Sequence, residues 1–372
     1  MPRIFTTPAA RRTRLLLVGG ALLAAVVGWL AMPFLRAHLR HANTLLETPV
    51  LALEGLQAKA LYFNGGARPW LLARRPDLVA AEDRDEQSER TRGFAQAVLV
   101  PKLFRQLDRQ YRFDALLFIG DPSQYRPLLD HLAETKDWSL SFADPLALVF
   151  RREAARPWQM EDLQPVRARF ASASAHDRAA FLAQTAVKLV AVREFAAGRQ
   201  LLDEAVQLDA GLPDAWNGLA IYHMHRGEYR EAFAGAERAL ALEKDHLPAL
   251  ATKTQLLFAT KHFSEAYDLS RQLIERLPED PNLLFYHAKI AHEAHAYAAE
   301  IAALEKLIAR AEADARPVSG YQLYLAQAHA SAGEAPRAID SFMRVLNDPD
   351  LPQDQRDFAR ENIARIKKRT GL

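Results

Sequence analysis

Apolar and small residues recur along the C-terminal half of the chain with a step of 34 residues. The stretch "DAWNGLAIYHMHRGEYREAFAGAERALAL" (214–242) contains one cycle, and the pattern returns from about residue 179, from 247, from 281 and, after a four-residue insertion, from 319. Within each cycle, large apolar residues occupy some offsets and alanine or glycine others, which is typical of two antiparallel helices that cross closely at the small residues. The spacing therefore predicts about five stacked helix pairs.

A stack of this kind buries one continuous apolar core, because no helix pair can bury its apolar face alone. The last pair then needs a polar cover. Residues 353–372 are rich in charge, and we expect Phe358, Ile363 and Ile366 to face inward. The pattern thus predicts an all-α solenoid over 178–352, closed by a C-terminal capping helix over 353–372.

The N-terminal part of the chain has a different pattern. Residues 15–35 carry no charged side chain, and a helix of that length is about as long as the hydrocarbon core of a bilayer is thick. Arginines are more frequent in the tail before this segment than directly after it. The bias predicts a single transmembrane helix over 15–35 and a cytoplasmic basic tail over 1–14. A cleaved signal peptide and the reversed topology are the alternatives.

This segment also has small residues at a regular spacing. Gly20, Ala24 and Gly28 lie four residues apart, on one face of a helix. Such a face lets two membrane helices approach closely, so a dimer through these residues is possible. The alternative is that small residues are simply common in membrane helices. The localisation that follows is a single-pass protein of a bacterial inner (plasma) membrane, with its N-terminus cytoplasmic and its bulk extracytoplasmic.

Residues 43–165 lack the long repeat and alternate between strand and helix patterns. Short apolar runs that end at glycine predict strands, amphipathic runs predict helices, and alternation on both sides of "ADP" predicts a hairpin. The segments, in chain order, are 58–63 (strand), 92–111 (helix), 114–120 (strand), 123–136 (helix) and 137–153 (hairpin). The pattern predicts a small α/β domain over 43–165.

The composition and the short motifs exclude several kinds of functional site. The net charge is +2, from 48 basic and 46 acidic residues, which argues against a nucleic-acid partner. The chain has no cysteine, which excludes disulfides and thiolate metal sites. The segment "FNGGARPW" (63–70) lacks phosphate-loop spacing, and the cluster of His287, His292 and His295 lacks a zinc motif. We therefore expect no catalytic residue, no metal and no cofactor.

Specific residues give the repeat a family resemblance. With Pro213 as position 1, the residues at positions 4, 7, 8, 15, 17, 20 and 27 are Trp216, Leu219, Ala220, Gly227, Tyr229, Ala232 and Ala239. Over 178–352 the chain resembles the tetratricopeptide repeat family. It departs from that family's pattern at His223, where tyrosine is usual, at Lys244, where proline is usual, and at Glu300, where alanine is usual.

The resemblance implies that the first helix of each pair lines a concave groove that binds an extended or helical peptide of a partner protein. The groove residues that it implies are Asn217, Ile221, Met224, His225, Gln255, Phe258, Phe285, Lys289, His292 and Gln327.

A second resemblance concerns 43–155. Trp138, Asp144 and the "LALVFRR" strand (146–152) are similar to the extracytoplasmic accessory domain of some bacterial multi-spanning glycosyltransferases. This chain lacks the catalytic membrane core of those enzymes, so the resemblance implies an accessory module.

The sequence therefore predicts a membrane-anchored scaffold, not an enzyme, that mediates protein–protein interaction in the cell envelope. The alternative is an accessory protein that binds a ligand or glycan through the α/β domain, near Asn64–Arg68 and Asp121, and that is related to envelope glycosylation.

Overall fold

The computed structural model describes residues 58–64, 67–79, 93–94, 96–120, 122–135, 137–152, 158–313, 318–348, 351 and 353–371. The chain forms two compact units. One comprises Met1–Ala173 with Ala191–Ala197, and the other comprises Ser174–Val190 with Gly198–Leu372. We refer to them as the α/β unit and the repeat unit.

The predicted localisation is wrong. Along the described part of the chain, none of the helices combines the length and the apolar character that are needed to cross a lipid bilayer. This finding overturns the placement as a single-pass protein of a bacterial inner membrane with an extracytoplasmic bulk. The segment 15–35 itself, with Gly20, Ala24 and Gly28, lies outside the described residues.

The α/β unit contains a small mixed sheet with the strand order β1-β2-β4-β3. Strands β1 and β2 are parallel, whereas β2 with β4 and β4 with β3 are antiparallel. The strands are β1 (Leu61–Phe63), β2 (Ala115–Ile119), β3 (Ser139–Ala143) and β4 (Ala147–Arg151), and the helices are α1 (Arg68–Arg74), α2 (Pro101–Tyr111), α3 (Arg126–Thr135) and α4 (Gln164–Arg169). The helix α2 lies in the crossover that parallel strands require.

Aromatic side chains form the core of this unit. Tyr62 on β1 is fully buried, and its ring centroid lies 5.0 Å from that of Phe94 and 5.2 Å from that of Phe104. The Tyr62 hydroxyl donates a hydrogen bond to the carbonyl oxygen of Phe94, at 2.9 Å, and burial raises the pKa of that hydroxyl. The buried phenol thus has the partner that a polar atom in an apolar core needs.

The hairpin predicted around "ADP" is present as β3 and β4. Asp144 is buried at its turn, and one carboxylate oxygen accepts hydrogen bonds from the backbone N–H groups of Leu146 and Ala147, at 2.7 and 2.6 Å. An aspartate that bonds the backbone two and three residues on fixes a tight turn. Asp144, one of the residues that carried the second resemblance, therefore has a structural role in this fold.

The repeat unit is a series of helix pairs whose middle members follow one another at the step that the sequence predicts. The first helices of the middle pairs begin at Pro213, Leu247 and Pro281, a step of 34 residues, and the next begins at Ser319. The pairs are α5 (Ala175–Ala191) with α6 (Phe195–Leu208), α7 (Pro213–His225) with α8 (Tyr229–Leu242), α9 (Leu247–Ala259) with α10 (Phe263–Arg276), α11 (Pro281–Glu293) with α12 (Tyr297–Ala313), and α13 (Ser319–Ser331) with α14 (Ala335–Leu346).

Small residues lie where the helices of a pair meet. Ala220 of α7 packs with Ala232 and Ala236 of α8, and Leu256 of α9 completes this buried cluster. Alanine at these positions lets two helix backbones approach closely, while the leucine of the next pair fills the space beside them.

The last helix, α15 (Gln353–Thr370), covers the fifth pair with one apolar face. Ala359 and Ile366 are buried and Ile363 packs against the same cluster, whereas Phe358 is 38% exposed. The ring of Phe358 nevertheless lies edge-on to the buried Phe342, with the centroids 6.4 Å apart, so it packs at the margin of this face. Residues 359, 363 and 366 are four and three apart and share a helix face, and Phe358 lies about 100° away from residue 359.

One backbone conformation recurs at the turn inside every pair. The residues at position 15 of successive cycles all have a left-handed φ, between 58° and 80°. They are Arg193, Gly227, Lys261, His295 and Gly333. Glycine adopts this conformation without a steric penalty, and a residue with a Cβ does not. Three of the five turns therefore carry a local strain.

We expect Lys261→Gly to raise the free energy of unfolding by about 1 kcal/mol, because glycine removes the Cβ from a left-handed position. Lys261 is exposed, so the substitution removes little packing. The matched control is Gly227→Ala, which introduces a Cβ at the equivalent turn and is expected to lower the free energy of unfolding by a similar amount. Urea unfolding of the full chain measures both. A less stable Lys261→Gly chain would contradict the assignment of strain to this turn.

Candidate functional site

A cavity of about 130 Å³ opens in the repeat unit among the first helices of the third, fourth and fifth pairs. Helix α9 contributes one residue to its lining, α11 five, α12 two and α13 two. The lining residues are Phe258, Phe285, Ala288, Lys289, His292, Glu293, Glu300, Leu304, Tyr324 and Gln327.

Aromatic side chains form the walls of the cavity. The ring centroid of Phe285 lies 5.2 Å from that of Tyr324 and 5.7 Å from that of Tyr321, both in edge-to-face arrangements. Phe258 packs against Tyr286 in the same manner, at 5.7 Å. Such contacts hold large rings in place at a low cost in side-chain entropy, so the walls are preorganised.

An acidic side chain is buried in the lining. Glu300 is 4% exposed, and both of its carboxylate oxygens lie within hydrogen-bond distance of Nδ1 of His292, at 3.1 and 3.0 Å. Burial raises the pKa of Glu300, and the hydrogen bond from His292 opposes that rise in part. The pair thus places a carboxylate in a poorly hydrated part of the cavity.

The fold brings half of the sequence-predicted groove residues together. Phe258, Phe285, Lys289, His292 and Gln327 all line the cavity. They come from three successive first helices, which carry the same repeat positions to the same side of the stack.

The other predicted residues are placed differently. Asn217 is 5% exposed, and its side-chain oxygen has no hydrogen-bond partner among the described residues. Met224 packs against the buried cluster of α7, α8 and α9, and Ile221 is half-buried. His225 and Gln255 are exposed but do not line the cavity. Five of the ten predicted groove residues thus line the cavity, and these five do not.

Sequence reasoning missed several lining residues. Tyr324 has no distinctive signal in the sequence, and Leu304 occupies a repeat position, 24, that indicates packing between neighbouring helices. Glu300 has one, because it replaces the alanine that the repeat pattern predicts at position 20. That departure marked the residue, but it did not indicate that a carboxylate from a second helix would reach the cavity.

The clustered histidines bond to three different partners. Nδ1 of His287 lies 2.8 Å from the hydroxyl of Ser270, and Nδ1 of His295 lies 2.8 Å from the hydroxyl of Tyr297. His292 bonds to Glu300. Each imidazole thus already has a hydrogen-bonding role in packing or at the cavity.

Asn64, a residue of the alternative site in the α/β unit, has a structural role. The Asn64 side chain donates to the carbonyl oxygen of Ile119 at 2.8 Å and accepts from the N–H of Ile119 at 3.0 Å. The amide thereby extends the pairing of β1 with β2 by one step. Asp121, the other residue of that alternative, lies outside the described residues.

The size of the cavity bears on what it can hold. Pockets for small molecules and cofactors usually measure roughly 300–1,000 Å³. At about 130 Å³, this cavity is smaller and suits a single side chain of a larger partner. Its aromatic walls and its mixture of polar groups favour noncovalent recognition.

Comparison with known proteins gives matches among solved structures alone. No protein-family model matches the chain, and no curated protein matches it. The second resemblance, to glycosyltransferase accessory domains, stays a prediction.

The matching structures include proteins built from the repeat that the sequence predicts. YrrB, described as a TPR protein with an unusual peptide-binding site, is 14% identical, with a TM-score of 0.41 over 48% of this chain and 90% of that one. TTC0263, a thermophilic TPR protein of Thermus thermophilus, is 15% identical, with a TM-score of 0.35 over 49% of this chain and 97% of that one. MamA of Desulfovibrio magneticus RS-1 is 16% identical, with a TM-score of 0.39 over 46% of this chain and 94% of that one. About half of the chain is thus similar to tetratricopeptide repeat proteins, as the sequence predicts.

Proposed function

We propose that this protein is a scaffold without catalytic activity, and that its repeat unit binds a peptide segment of a partner protein. The cavity lined by α9, α11, α12 and α13 receives one anchoring side chain of that peptide. The flanking first helices contact the residues on either side of it.

The observation that carries this proposal is the preorganised aromatic lining of the cavity. Phe258, Phe285 and Tyr324 surround a space of the size of one side chain, and Tyr324 is 43% exposed at its rim. Partly exposed aromatic residues beside a pocket are the usual energetic centre of a protein interface, because they bury much area with few rotatable bonds. A peptide is the partner that fits, since it presents side chains along an extended or helical backbone.

Peptides selected from a displayed random library against the full chain test this proposal. We expect Phe285→Ala to weaken the binding of the selected peptides about tenfold, because one wall of the cavity is lost. Isothermal titration calorimetry measures the dissociation constants of the wild type and of the variant.

The matched control is Phe358→Ala. It removes the same side chain from α15 in the same unit, where the ring is 38% exposed and does not line the cavity. This variant is expected to bind the peptides as the wild type does. Selected peptides that bind both variants and the wild type equally well would place the binding surface elsewhere.

A further inference from the structure

Glu300 occupies a position that the rest of the repeat unit reserves for very small residues. The equivalent residues of the other four pairs are Gly198, Ala232, Ala266 and Ala338, and all of them are buried. Burial of a carboxylate is unfavourable unless it is paired and hydrogen-bonded. The fourth pair therefore carries a buried carboxylate at this position, and that carboxylate lies at the cavity.

The protein itself compensates this charge only in part. Among the described residues, His292 is the hydrogen-bond partner of the Glu300 carboxylate, and its imidazole is uncharged when it is not protonated. Lys289 of α11 also lines the cavity, but it is exposed, and its hydrogen-bond partners in the described part of the chain do not include Glu300, whose carboxylate bonds to His292. From α13, the side chains that face this space are Tyr324 and Gln327, which carry no charge.

When His292 is neutral, the groups that line the cavity have an excess of negative charge. Two carboxylates, Glu293 and Glu300, stand against one ammonium group, that of Lys289. An acidic side chain entering the cavity would meet like charge, and a purely apolar one would leave the buried carboxylate of Glu300 without a cationic partner.

A basic side chain fits both the aromatic and the acidic residues of the lining. Lysine and arginine have an apolar stem that packs on rings and a cationic head that pairs with a carboxylate. Phe285 and Tyr324 supply the aromatic surface for the stem, with ring centroids 5.2 Å apart, and a cation beside such rings gains further attraction. Glu300 supplies the buried countercharge.

We propose that the anchoring side chain of the bound peptide is a lysine or an arginine, and that Glu300 determines this specificity. This inference rests on the proposed function, because it names the residue of the partner that the cavity accepts.

A positional-scanning peptide library, in which each position is fixed in turn as lysine, arginine, norleucine or glutamate, tests the inference. With the wild-type full chain we expect one position at which lysine or arginine binds at least tenfold more tightly than norleucine. With Glu300→Ala we expect that preference to disappear. This variant restores the residue of the other pairs, so it is expected to fold. Glu300→Gln, which keeps the shape of the side chain, is the second variant.

The control is Glu305→Gln, which removes an exposed carboxylate from α12, the helix of Glu300, at a position that does not line the cavity. It is expected to keep the preference, because water screens an exposed charge more effectively than a buried one. A wild-type preference for norleucine or glutamate overturns the inference, and so does a preference for lysine that persists in both Glu300 variants.

Failure of the inference is distinguishable from failure of the proposed function. If Phe285→Ala weakens binding but peptides with lysine and with norleucine bind equally tightly, the cavity is an anchor site that does not select a basic side chain. If no library peptide binds, or if Phe285→Ala binds the peptides as tightly as the wild type does, the proposed function and this inference fail together.

Discussion

Gly235→Ala is expected to lower the free energy of unfolding of the repeat unit by about 2 kcal/mol, because there is no room for a methyl group at this crossing. Gly235 lies in α8, against α7. A Cβ at this position would lie 3.0 Å from the backbone nitrogen of Ala220 and 3.0 Å from the carbonyl oxygen of Trp216. Both are backbone atoms, so they move only if the two helices separate.

The sign of this effect is decided by packing rather than by helix propensity. Alanine in a helix is more favourable than glycine by about 1 kcal/mol, and the clash has to exceed that gain. Separating α7 from α8 loosens the contacts of Ala220, Ala232 and Ala236 as well, and these small residues hold the pair together. Urea unfolding of the full chain, followed by far-ultraviolet circular dichroism, measures the loss.

Gly320→Ala is the matched control. Gly320 lies in the first turn of α13, and a Cβ there would meet no atom within 4 Å. The same substitution is therefore expected to leave the stability unchanged or to raise it slightly. If Gly235→Ala proves as stable as Gly320→Ala, the close approach of α7 and α8 is not required for the stack.

The period of the repeat could be predicted from sequence because the rule that it encodes is local. Alanine at fixed offsets lets two helices of one pair approach, and Pro213 and Pro281 mark helix starts where a missing N–H costs nothing. The need for glycine at residue 235 could not be predicted. That need arises from the neighbouring backbone of α7. The repeat pattern does not indicate it, because the equivalent residues of the other pairs are not glycine: they are Leu201, Leu269, Ala303 and Ser341.

The α/β unit likewise combines a feature that the sequence predicts with one that it does not. The β3–β4 hairpin was predictable, since its strands are adjacent in sequence and Asp144 marks the turn. The sheet order β1-β2-β4-β3 was not, because it places β4 between β2 and β3 through contacts between residues that are distant in the chain. Periodicity identifies strands, but it does not pair them.

At the candidate site, the repeat offsets predicted the residues that the first helices contribute. Phe258, Phe285 and Gln327 occupy equivalent faces of successive first helices and line one cavity. Asn217 and Met224 lie outside this cavity: Asn217 is buried, and Met224 packs against the cluster of α7, α8 and α9. The offsets could not reveal Glu300, because a groove defined by first helices alone omits what a second helix contributes.

Acidification is expected to destabilise the repeat unit through His287. This residue of α11 is 3% exposed, and its ring stacks on that of Tyr267 with the centroids 5.4 Å apart. The Ser270 hydroxyl donates to the carbonyl oxygen of Tyr267, so it accepts a hydrogen bond from Nδ1–H of His287. Burial, with a smaller effect of the nearby Arg271 cation, lowers the pKa of His287 from 6.5 to about 4.

The direction of the pH dependence follows from proton binding. Between pH 6.5 and about 4 the unfolded chain protonates this histidine and the folded chain does not, so the free energy of unfolding falls as the pH falls. The difference between the two pKa values corresponds to a loss of about 3 kcal/mol once the pH reaches about 4. Well above pH 6.5 the residue is neutral in both states and contributes no pH dependence.

Urea unfolding of the full chain at a series of pH values measures this loss, and His287→Gln isolates it. Glutamine can still donate a hydrogen bond to Ser270 but does not titrate, so the variant is expected to lack the part of the acid destabilisation that is due to His287. The comparison is needed because Glu300 acts in the opposite direction: its pKa is raised by burial, so its protonation favours the folded state as the pH falls. Parallel stability curves for the wild type and His287→Gln between pH 6.5 and about 4 would mean that the buried imidazole accepts a proton without unfolding the helices around it.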